Sequence, residues 1–267
     1  MIFQSPGAVA FELGPFTIHW YGILIAIAFI VALLICCHVA KEKNENPDNF
    51  TDLATYVLIF AIIGARLYYV IFNFSDYEND IISIFKIWQG GLAIHGGIIG
   101  GLIAGFVFTK VKKLSFPKYC DITCLGLIIG QAIGRWGNFF NSEAFGTPAD
   151  LPWKLYIPPD KRPAEFLYDS YFHPTFLYES LWNFIVFFIL YFALRKPLNK
   201  YNGALFFCYM GLYSLGRFFI EGLRTDSLMV FNLFRTAQVI SILFIVISAI
   251  SLFFILRKNK NSNISSN

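Results

Sequence analysis

Residues 134–146 read GRWGNFFNSEAFG and directly follow an apolar run over residues 119–133. An arginine, two asparagines and a glutamate thus close a stretch that is apolar enough to predict a membrane span. Charged groups inside a membrane are costly and usually serve a function. Arg66, His95 and Arg217 interrupt other apolar runs in the same way. The sequence therefore predicts a polar site within a lipid bilayer, of a kind that handles an anion.

The composition of the whole chain supports membrane integration. Of its 267 residues, 57% are hydrophobic and only 14% are charged, whereas a soluble protein would carry about 25% charged residues. The net charge of +4 is small, and the basic residues lie between apolar runs instead of forming a patch. We therefore expect no nucleic acid among the partners. The sequence shows no metal-ligand spacing and no nucleotide-binding loop, so we expect neither a metal nor a cofactor.

Seven stretches come close to the roughly 20 apolar residues that a membrane-spanning helix needs. Of the 21 Lys and Arg residues, 12 lie in the connections after the odd-numbered stretches and 6 on the opposite side. This bias places the N-terminus outside and the C-terminus in the cytoplasm. We predict an all-α integral membrane protein of about seven transmembrane helices, with one membrane-embedded domain over residues 1–256 and a short cytoplasmic tail over 257–267. The predicted spans are 17–38, 52–73, 91–111, 119–141, 174–195, 202–222 and 236–256.

The longest connection between predicted spans, residues 142–173, falls on the outer side. It holds five prolines, which argue against a long helix, and Trp153 together with several Tyr and Phe residues, which favour packing. We expect this connection to form a small outward-facing head. A disordered loop is the alternative.

Glycines recur every four residues on two of the predicted spans. This spacing places them on one face of a helix and lets helix backbones approach each other closely. We interpret both faces as sites of close helix–helix contact. The third span carries Gly97, Gly101 and Gly105, and the fourth carries Gly126, Gly130 and Gly134.

The polar residues of the predicted spans lie in one shallow layer. Counted inward from the outer ends, they are about 4 to 7 residues deep, or roughly 6–10 Å below the outer interface. This is the depth of phospholipid headgroups, whereas secondary transporters bind their substrates near the midplane. The depth favours chemistry on a lipid over transport of a small anion, and a structural scaffold would not explain several buried charges. The layer comprises Tyr21, Arg66, His95, Arg135 and Arg217.

The spacing of the arginines suggests how an anion would be held. Arg135 and Asn138 are three residues apart and share a helix face. Glu221 lies four residues after Arg217 and three before Arg224, so it can pair with either arginine. Because a guanidinium binds phosphate through two parallel hydrogen bonds, two arginines from different helices would form a phosphate clamp.

Each of these residues also has a structural interpretation. Arg66 could pair with a carboxylate or with bare carbonyl groups, and Arg217 could form a closed ion pair with Glu221. His95 could be a hydrogen-bonded packing histidine, although the glycines beside it leave room for a substrate. Tyr21 could belong to the aromatic belt at the membrane surface.

The stretch 134–146 resembles the signature of bacterial prolipoprotein diacylglyceryl transferases, with its pattern GRxGNFxNxExxG intact. The resemblance extends from about residue 17 to residue 256, and the long signature is specific, whereas the shorter blocks alone would be weak. One departure is Thr225-Asp226, where the family typically has a proline nearby. The shorter blocks are Trp20-Tyr21-Gly22, His95-Gly96-Gly97, His173-Pro174 with Leu177-Tyr178-Glu179, and Gly216-Arg217-Phe218-Phe219 with Glu221 and Arg224.

The resemblance implies a transferase of the bacterial cytoplasmic (inner) membrane with its active site towards the outer leaflet. Such an enzyme moves the diacylglyceryl group of phosphatidylglycerol onto the thiol of the lipobox cysteine in a prolipoprotein signal peptide. Glycerol phosphate is released, and the reaction is the first step of lipoprotein maturation. The expected partners are therefore phosphatidylglycerol, the signal peptide and the bilayer. The family's seven spans, with the N-terminus outside, agree with the topology predicted from Lys and Arg.

The implied reaction assigns roles to the polar residues. The thiol proton must be removed, because the thiolate is the reactive form and an ordinary thiol has a pKa of about 8.5. We predict His95 as the general base and Arg135 and Arg217 as the catalytic phosphate clamp. Tyr21 completes the predicted catalytic set by orienting the headgroup or the glycerol.

A second group of residues is predicted to bind the substrate. In this group the asparagines orient the headgroup, Glu143 and Glu221 position arginines, and Gly146 permits a tight turn. His173 and Glu179 are as compatible with bracing the head as with reacting. The predicted substrate-binding residues are Asn138, Asn141, Glu143, Gly146, Glu221, Arg224 and Arg66.

Overall fold

Long helices make up most of the chain. The computed structural model describes residues 2–78, 80–230 and 233–264. The fifth helix continues without a break as a π-helical stretch, Ile189–Leu194. The helices are α1 (Trp20–Glu42), α2 (Asp48–Phe72), α3 (Ile94–Val111), α4 (Phe116–Asn141), α5 (Thr175–Phe188), α6 (Ala204–Glu221) and α7 (Thr236–Ile264).

Five of the described helices are long and apolar enough to cross a membrane: α1, α2, α3, α7 and α5 with its π-helical continuation. The mostly helical fold predicted from the sequence, with apolar helices of spanning length, is therefore confirmed. In α4 and α6, polar residues interrupt the apolar sequence. Asp121 and Arg135 lie in α4, and Arg217 and Glu221 lie in α6. Seven spans and their orientation stay predictions.

The first and third predicted spans begin too early. Phe16–His19 forms a strand, so α1 starts at Trp20, and α3 starts at Ile94 after a turn that contains two glycines. Tyr21 and His95 consequently lie in the first turn of their helices instead of a full turn inside, because apolar composition alone does not separate a strand from a helix start.

The last helix is longer than predicted. α7 continues to Ile264 and so includes much of the predicted tail 257–267. Residues 265–267 lie outside the described part of the chain.

Small sheets add to the predicted all-α architecture. β1 pairs in parallel with β4, and β4 pairs antiparallel with β5, while β2–β3 and β6–β7 form two antiparallel hairpins. Strands of two residues carry too little sequence pattern to be predicted. The strands are β1 (Phe3–Gln4), β2 (Val9–Leu13), β3 (Phe16–His19), β4 (Leu155–Tyr156), β5 (Tyr171–Phe172), β6 (Met229–Val230) and β7 (Phe234–Arg235).

The connection 142–173 is packed, which excludes the disordered-loop alternative. The aromatic ring of Phe3 also packs edge-on against Phe176, with centroids 6.1 Å apart. The first residues of the chain therefore belong to the same head, which the sequence did not reveal. The buried cluster of the head consists of Phe139, Phe145, Leu155, Ile157, Phe172 and Phe176.

The described chain divides into two compact units. The smaller unit is Cys36–Tyr119 and contains α2 and α3. The larger unit combines Met1–Ile35 with Cys120–Asn267, and it contains the head and helices α5, α6 and α7.

In the smaller unit, α2 and α3 approach each other closely at glycines. The contact uses Gly96 and Gly100, where a side-chain methyl group would overlap carbonyl oxygens of α2. The prediction named Gly97, Gly101 and Gly105, which lie one residue further along the helix. These glycines also lie against α2, where a Cβ would be in ordinary van der Waals contact with Ala61, Val57 and Leu53. The predicted close helix–helix contact is therefore confirmed, and its tightest points are the neighbouring Gly96 and Gly100.

Gly100→Ala is expected to destabilise the smaller unit by about 1–3 kcal/mol, the usual cost of forcing atoms into a packed interface. The new Cβ would meet the carbonyl oxygen of Phe60, which cannot move without its helix. Gly105→Ala is the matched control, because its nearest neighbour would be Leu53 Cδ1 at 4.0 Å. Thermal unfolding in detergent should show a lower Tm for the first variant alone. Equal unfolding temperatures would contradict the close contact.

In the larger unit, side-chain hydrogen bonds hold α5 against α4 and α6. The Ser180 hydroxyl donates to the carbonyl oxygen of Ala132 at 2.8 Å, and Trp136 Nε1 donates to Ser180 Oγ at 3.2 Å. Trp182 Nε1 donates to the carbonyl oxygen of Leu212 at 2.9 Å. These hydrogen bonds fix how far the three helices are shifted along one another. They lie close in sequence to the charged residues of the same helices.

Candidate active site

Three arginines meet at one buried carboxylate, Glu179 of α5, which is 4% exposed. Arg135 Nη2 of α4 lies 2.6 Å from Glu179 Oε2, and Arg217 Nη1 of α6 lies 2.7 Å from Oε1. Arg224, in the turn after α6, places Nη1 3.5 Å from the same Oε1. A buried charge is stable only when it is paired and hydrogen-bonded. Glu179 therefore fixes the guanidinium groups of three separate chain segments.

Two further carboxylates complete this group. Arg217 Nη2 lies 2.6 Å from Glu221 Oε2, and Arg224 Nε lies 4.0 Å from the same oxygen. The predicted pairing of Glu221 with both arginines is thus confirmed. Asp226 accepts two hydrogen bonds from Arg224, at 2.7 and 2.9 Å. We call the set the arginine cluster: Arg135, Arg217, Arg224, Glu179, Glu221 and Asp226.

Asp226 lies at the solvent side of the arginine cluster. Burial alone would raise the pKa of its carboxyl group, but the hydrogen bonds and the positive charge of Arg224 outweigh burial and lower that pKa. The folded state therefore favours the ionised form of the Asp226 carboxyl group more than the unfolded chain does. The resulting stability is present above the unfolded pKa of about 3.9 and is lost as the pH falls through the lower folded value.

Asp226→Asn should lower the Tm at pH 7, because Arg224 loses its two-bond partner. At about pH 3, below the ordinary carboxyl pKa, the difference in Tm between the variant and the wild type should shrink. Activity should fall only modestly, since Arg224 keeps its contacts with Glu179 and Glu221. Calorimetry at both pH values checks this. An unchanged Tm at pH 7 would show that the pair does not contribute to stability.

Of the three arginines in the cluster, Arg135 is the most accessible to an anion. Its side chain is 24% exposed, compared with 18% for Arg217 and 11% for Arg224. Besides its contact with Glu179, its Nη1 donates to Asn138 Oδ1 at a long 3.4 Å. Because a guanidinium has five N–H donors, Arg135 can bind an oxyanion while Glu179 still holds it.

The signature stretch turns sharply after α4 ends at Asn141. Ser142 and Ala144 have φ values of 52° and 56°, and such left-handed conformations are costly for residues other than glycine. Between them, Glu143 Oε1 accepts hydrogen bonds from Asn138 Nδ2 at 2.9 Å and Asn141 Nδ2 at 3.3 Å. Glu143 thus holds the two asparagines, and its described contacts do not support the predicted role of positioning an arginine.

Gly146 serves close packing and not the predicted tight turn. The residues with positive φ in this stretch are Ser142 and Ala144 instead. The Gly146 N–H donates to the carbonyl oxygen of His173 at 3.0 Å. A Cβ at this position would lie 2.7 Å from His173 Cβ and 3.0 Å from the carbonyl oxygen of Leu223. The glycine therefore lets three chain segments meet beside the arginine cluster.

Tyr21 lies against the same end of α4. Its ring covers Gly137, where any side chain would overlap the ring, and the neighbouring Trp20 stacks on Phe140 with centroids 4.9 Å apart. Tyr21 also lines a cavity of about 690 Å³ in the larger unit. The other residues that line this cavity are Gly7, Ala8, His19, Gly22, Phe140, Asn141, Ser142, Glu143, Pro158 and Lys161.

A second cavity, of about 560 Å³, adjoins the other side of the strained turn. Asn141, Ser142, Glu143 and Lys161 line both cavities, and Asp226 of the arginine cluster lines the second. The larger unit therefore brings together every predicted site residue except two, Arg66 and His95.

Arg66 belongs to the smaller unit and is 6% exposed. Its guanidinium donates to four backbone carbonyl oxygens at 2.7–2.9 Å, so the contacts favour the structural alternative over phosphate binding. The four acceptors are the carbonyl oxygens of Ser83, Ile84, Gly90 and Gly91.

His95 also belongs to the smaller unit, as the second residue of α3. Its side chain is exposed, and its ring lies beside Tyr68 with centroids 6.0 Å apart. An exposed imidazole at a helix start is accessible for proton transfer, so the predicted role as a base stays open.

The sequence did not identify Glu179 as the centre of the site. The available signal was a carboxylate near the start of an apolar span, which is itself a costly placement. Arg235 was also missed. Its Nη1 donates to the carbonyl oxygen of Glu221 and, at 2.9 Å, to that of Arg224, which fastens the end of α6. No spacing in the sequence signals this contact.

Comparison with known proteins agrees with the resemblance in the signature. The model of the prolipoprotein diacylglyceryl transferase family matches residues 8–254. A phosphatidylglycerol–prolipoprotein diacylglyceryl transferase of Thermosynechococcus vestitus is 51% identical over 251 residues, covering 94% of this chain and 93% of that protein. Proteins of the same description from Synechocystis sp. and Clostridium botulinum are 49% and 48% identical. They cover 97% and 94% of this chain, and 93% and 98% of their own lengths.

Proposed function

The chain belongs to the prolipoprotein diacylglyceryl transferase family, and we propose that it transfers the diacylglyceryl group of phosphatidylglycerol to a prolipoprotein. The acceptor is the thiol of the lipobox cysteine, and glycerol phosphate is released. The observation that carries this proposal is the arginine cluster, in which Glu179 holds three guanidinium groups beside the signature turn. Such an arrangement suits a phosphate ester in a site of low polarity.

The reaction is a substitution at the glycerol carbon that bears the phosphate. A bond forms between the cysteine sulfur and this carbon, the carbon–oxygen bond breaks, and its electron pair leaves on the phosphate oxygen. The thiol proton passes to a base. The chain must therefore supply a proton acceptor and stabilise the negative charge that develops on the leaving phosphate.

Arg135 and Arg217 stabilise that charge. Glu179 orients both guanidinium groups before the substrate arrives, and Glu221 also orients that of Arg217. Little reorganisation is therefore needed when charge develops. Arg135, the most exposed of the arginines, contacts the phosphate most directly. Arg224 supports the pair through its contacts with Glu179 and Glu221.

The residues around the first cavity orient the lipid headgroup and the glycerol. Tyr21, Asn141 and Glu143 line this cavity, and Glu143 accepts hydrogen bonds from both Asn138 and Asn141. Gly146 keeps the chain after the turn close to the arginine cluster. We propose these residues as the substrate-binding group.

The proposed topology has seven spans, with α4 and α6 completing the set, and the N-terminus and the head outside. The bias of Lys and Arg supports this orientation. Arg135 of α4 and Arg217 and Glu221 of α6 belong to the arginine cluster, so residues of the site lower the hydropathy of these two helices. The protein would then lie in the bacterial cytoplasmic membrane as one catalytic domain over residues 1–256, with its site towards the outer leaflet and its tail in the cytoplasm.

The proposal is tested with the purified full chain in detergent, phosphatidylglycerol and a peptide that carries a lipobox cysteine. We expect the peptide to gain one diacylglyceryl unit, with one glycerol phosphate released per transfer. A peptide with serine in place of the cysteine, and phosphatidylethanolamine in place of phosphatidylglycerol, should give no product. Absence of transfer by folded protein, together with flux of glycerol phosphate across vesicles, would overturn the proposal in favour of anion transport.

His95 is proposed as the base that accepts the thiol proton. His95→Gln should lower kcat/KM about 10²-fold, the lower end of general-base contributions. The loss should shrink as the pH rises towards the ordinary thiol pKa of about 8.5, because thiolate then forms without a base. His38→Gln is the matched control, since His38 is exposed in the last turns of α1 beside Glu42. A pH-independent loss would point to a packing role instead.

A further inference from the structure

The chain between α2 and α3 folds back along α2 instead of projecting beyond it. Arg66 lies six residues before the end of α2 at Phe72, or roughly 9 Å along the helix axis. Its guanidinium nevertheless binds carbonyl groups of residues 83–91. The N–H of Ala93 likewise donates to the carbonyl oxygen of Ala65 at 3.0 Å. We call residues 81–92 the return segment, and it lies beside the last turns of α2.

The backbone of the return segment is well supplied with hydrogen bonds. It contains two short 3₁₀ helices, Ile81–Phe85 and Ile87–Gln89, and Arg66 donates to four further carbonyl oxygens. The ring of Tyr77 lies 5.1 Å from the Arg66 guanidinium carbon. Gly91 has a φ of +73°, and a side chain there would overlap Arg66 Nη1. Irregular backbone is tolerated at membrane depth where protein covers it, and Arg66 covers four carbonyl groups of this segment on the side that faces α2.

Six of the twelve side chains in the return segment are large, apolar and exposed: Ile81, Ile82, Phe85, Ile87, Trp88 and Leu92. Exposure of this many large apolar groups on adjoining residues marks an interaction surface. The preceding residues are different, since Asp76, Glu78 and Asp80 are exposed and acidic. Lys86 lies 3.2 Å from Asp80 and so points back to this polar end. The most exposed apolar residues are Ile81 at 62%, Ile82 at 72%, Phe85 at 76% and Trp88 at 77%.

We propose that the return segment is a re-entrant element embedded in the lipid bilayer. Its flanking helices α2 and α3 are both apolar and long enough to span a membrane, and the segment lies alongside α2 within that span. Ile82, Phe85 and Trp88 contact acyl chains, while the acidic residues before the segment stay in the headgroup layer. Arg66 holds the segment through its carbonyl groups, which gives this buried arginine a role separate from the reaction.

The test uses the full chain in vesicles of phosphatidylglycerol and phosphatidylethanolamine. The emission of Trp88 is obtained as the difference between the wild type and Trp88→Phe. We expect this component to be shifted to the blue, lost on quenching by lipids with brominated acyl chains, and unaffected by aqueous iodide. Trp153→Phe is the matched control, because Trp153 is 46% exposed in the head and should be quenched by iodide. Quenching of Trp88 by iodide, with no effect of brominated lipid, would overturn the proposal.

Arg66→Met tests how the segment is held. The variant loses all four donated hydrogen bonds while keeping an apolar side chain of similar length. Trp88 should then lose its lipid quenching, and residues 81–92 should become open to protease. Arg162→Met is the control, since Arg162 also donates to backbone carbonyl oxygens, those of Ile157 and Leu167. Unchanged quenching of Trp88 in a folded Arg66→Met variant would overturn the role of Arg66.

Lipid contact and catalysis are measured separately. A chain that transfers the diacylglyceryl group normally while iodide quenches Trp88 would refute the embedded segment and leave the proposed function intact. A chain that shows lipid quenching of Trp88 but makes no lipidated peptide would support the embedded segment and refute the proposed function.

Discussion

Glu179→Gln is expected to lower kcat/KM for diacylglyceryl transfer about 10³-fold, the loss associated with removing a well-placed charge-stabilising group. Glutamine keeps the size of the side chain but removes the charge that holds Arg135, Arg217 and Arg224. The three guanidinium groups would then repel one another and turn towards other acceptors. Loss of the partner of a buried ion pair also costs about 3–5 kcal/mol, so the Tm should fall as well.

Two further variants separate orientation from folding. Glu179→Asp keeps the charge with a shorter reach, and it should recover part of the Tm and part of kcat. Glu165→Gln is the matched control, because Glu165 is exposed in the head, and it should behave as wild type. Near-normal transfer by folded Glu179→Gln would show that the carboxylate does not organise the site.

Arg135→Lys is expected to lower kcat about 10²–10³-fold, with a smaller effect on the Tm. Lysine keeps the positive charge but cannot contact Glu179 and a phosphate at once through a planar fork. Because Arg135 is the most exposed arginine of the cluster, its replacement should affect the substrate more than the fold. The measurement is steady-state transfer to the lipobox peptide with phosphatidylglycerol in mixed micelles.

Arg162→Lys is the matched control for this substitution. Arg162 donates to carbonyl oxygens in the head and does not belong to the arginine cluster, so transfer should be nearly unchanged. If Arg135→Lys retained full kcat, a general positive charge would suffice and the bidentate contact would be refuted.

Local spacing predicted the parts of the site that lie on one helix. Glu221 pairs with Arg217 one turn away, as a separation of four residues requires. Asn138 approaches Arg135 for the same reason. The helical membrane class followed from apolar runs, and the packed head from its prolines and aromatic residues. Each of these inferences depends on neighbours in sequence, which are neighbours in space whatever the rest of the fold does.

Contacts between distant segments were beyond the sequence. Glu179 is 44 residues from Arg135 and 38 from Arg217, so its central place depends on how α5 packs between α4 and α6. The relative position of these helices is set by hydrogen bonds such as the one that the Ser180 hydroxyl donates to the carbonyl oxygen of Ala132. The choice between the two interpretations of Arg66 could not be made from the sequence, because its partners are backbone carbonyl groups, which every residue has and no sequence pattern marks.

The backbone of the signature turn was also hidden. Gly146 drew attention because glycine commonly permits positive φ, yet Ser142 and Ala144 take that conformation. Packing overrides residue preference here, since Thr175 Oγ1 donates to the carbonyl oxygen of Ala144 and fixes the turn. Strain of this kind is common at functional sites, and it presents Glu143 to both cavities.

The most direct test of the account is whether the arginine cluster touches the lipid phosphate. The full chain, labelled with ¹⁵N in its arginine side chains, would be placed in bilayers containing phosphatidylglycerol, and ³¹P–¹⁵N dipolar couplings would be measured by solid-state NMR. We predict a coupling between the lipid phosphorus and guanidinium nitrogens that weakens in Arg135→Lys, because one arginine of the clamp is lost, and that is unchanged in Arg162→Lys. A coupling of full strength in Arg135→Lys, or none in the wild type, would contradict the phosphate clamp.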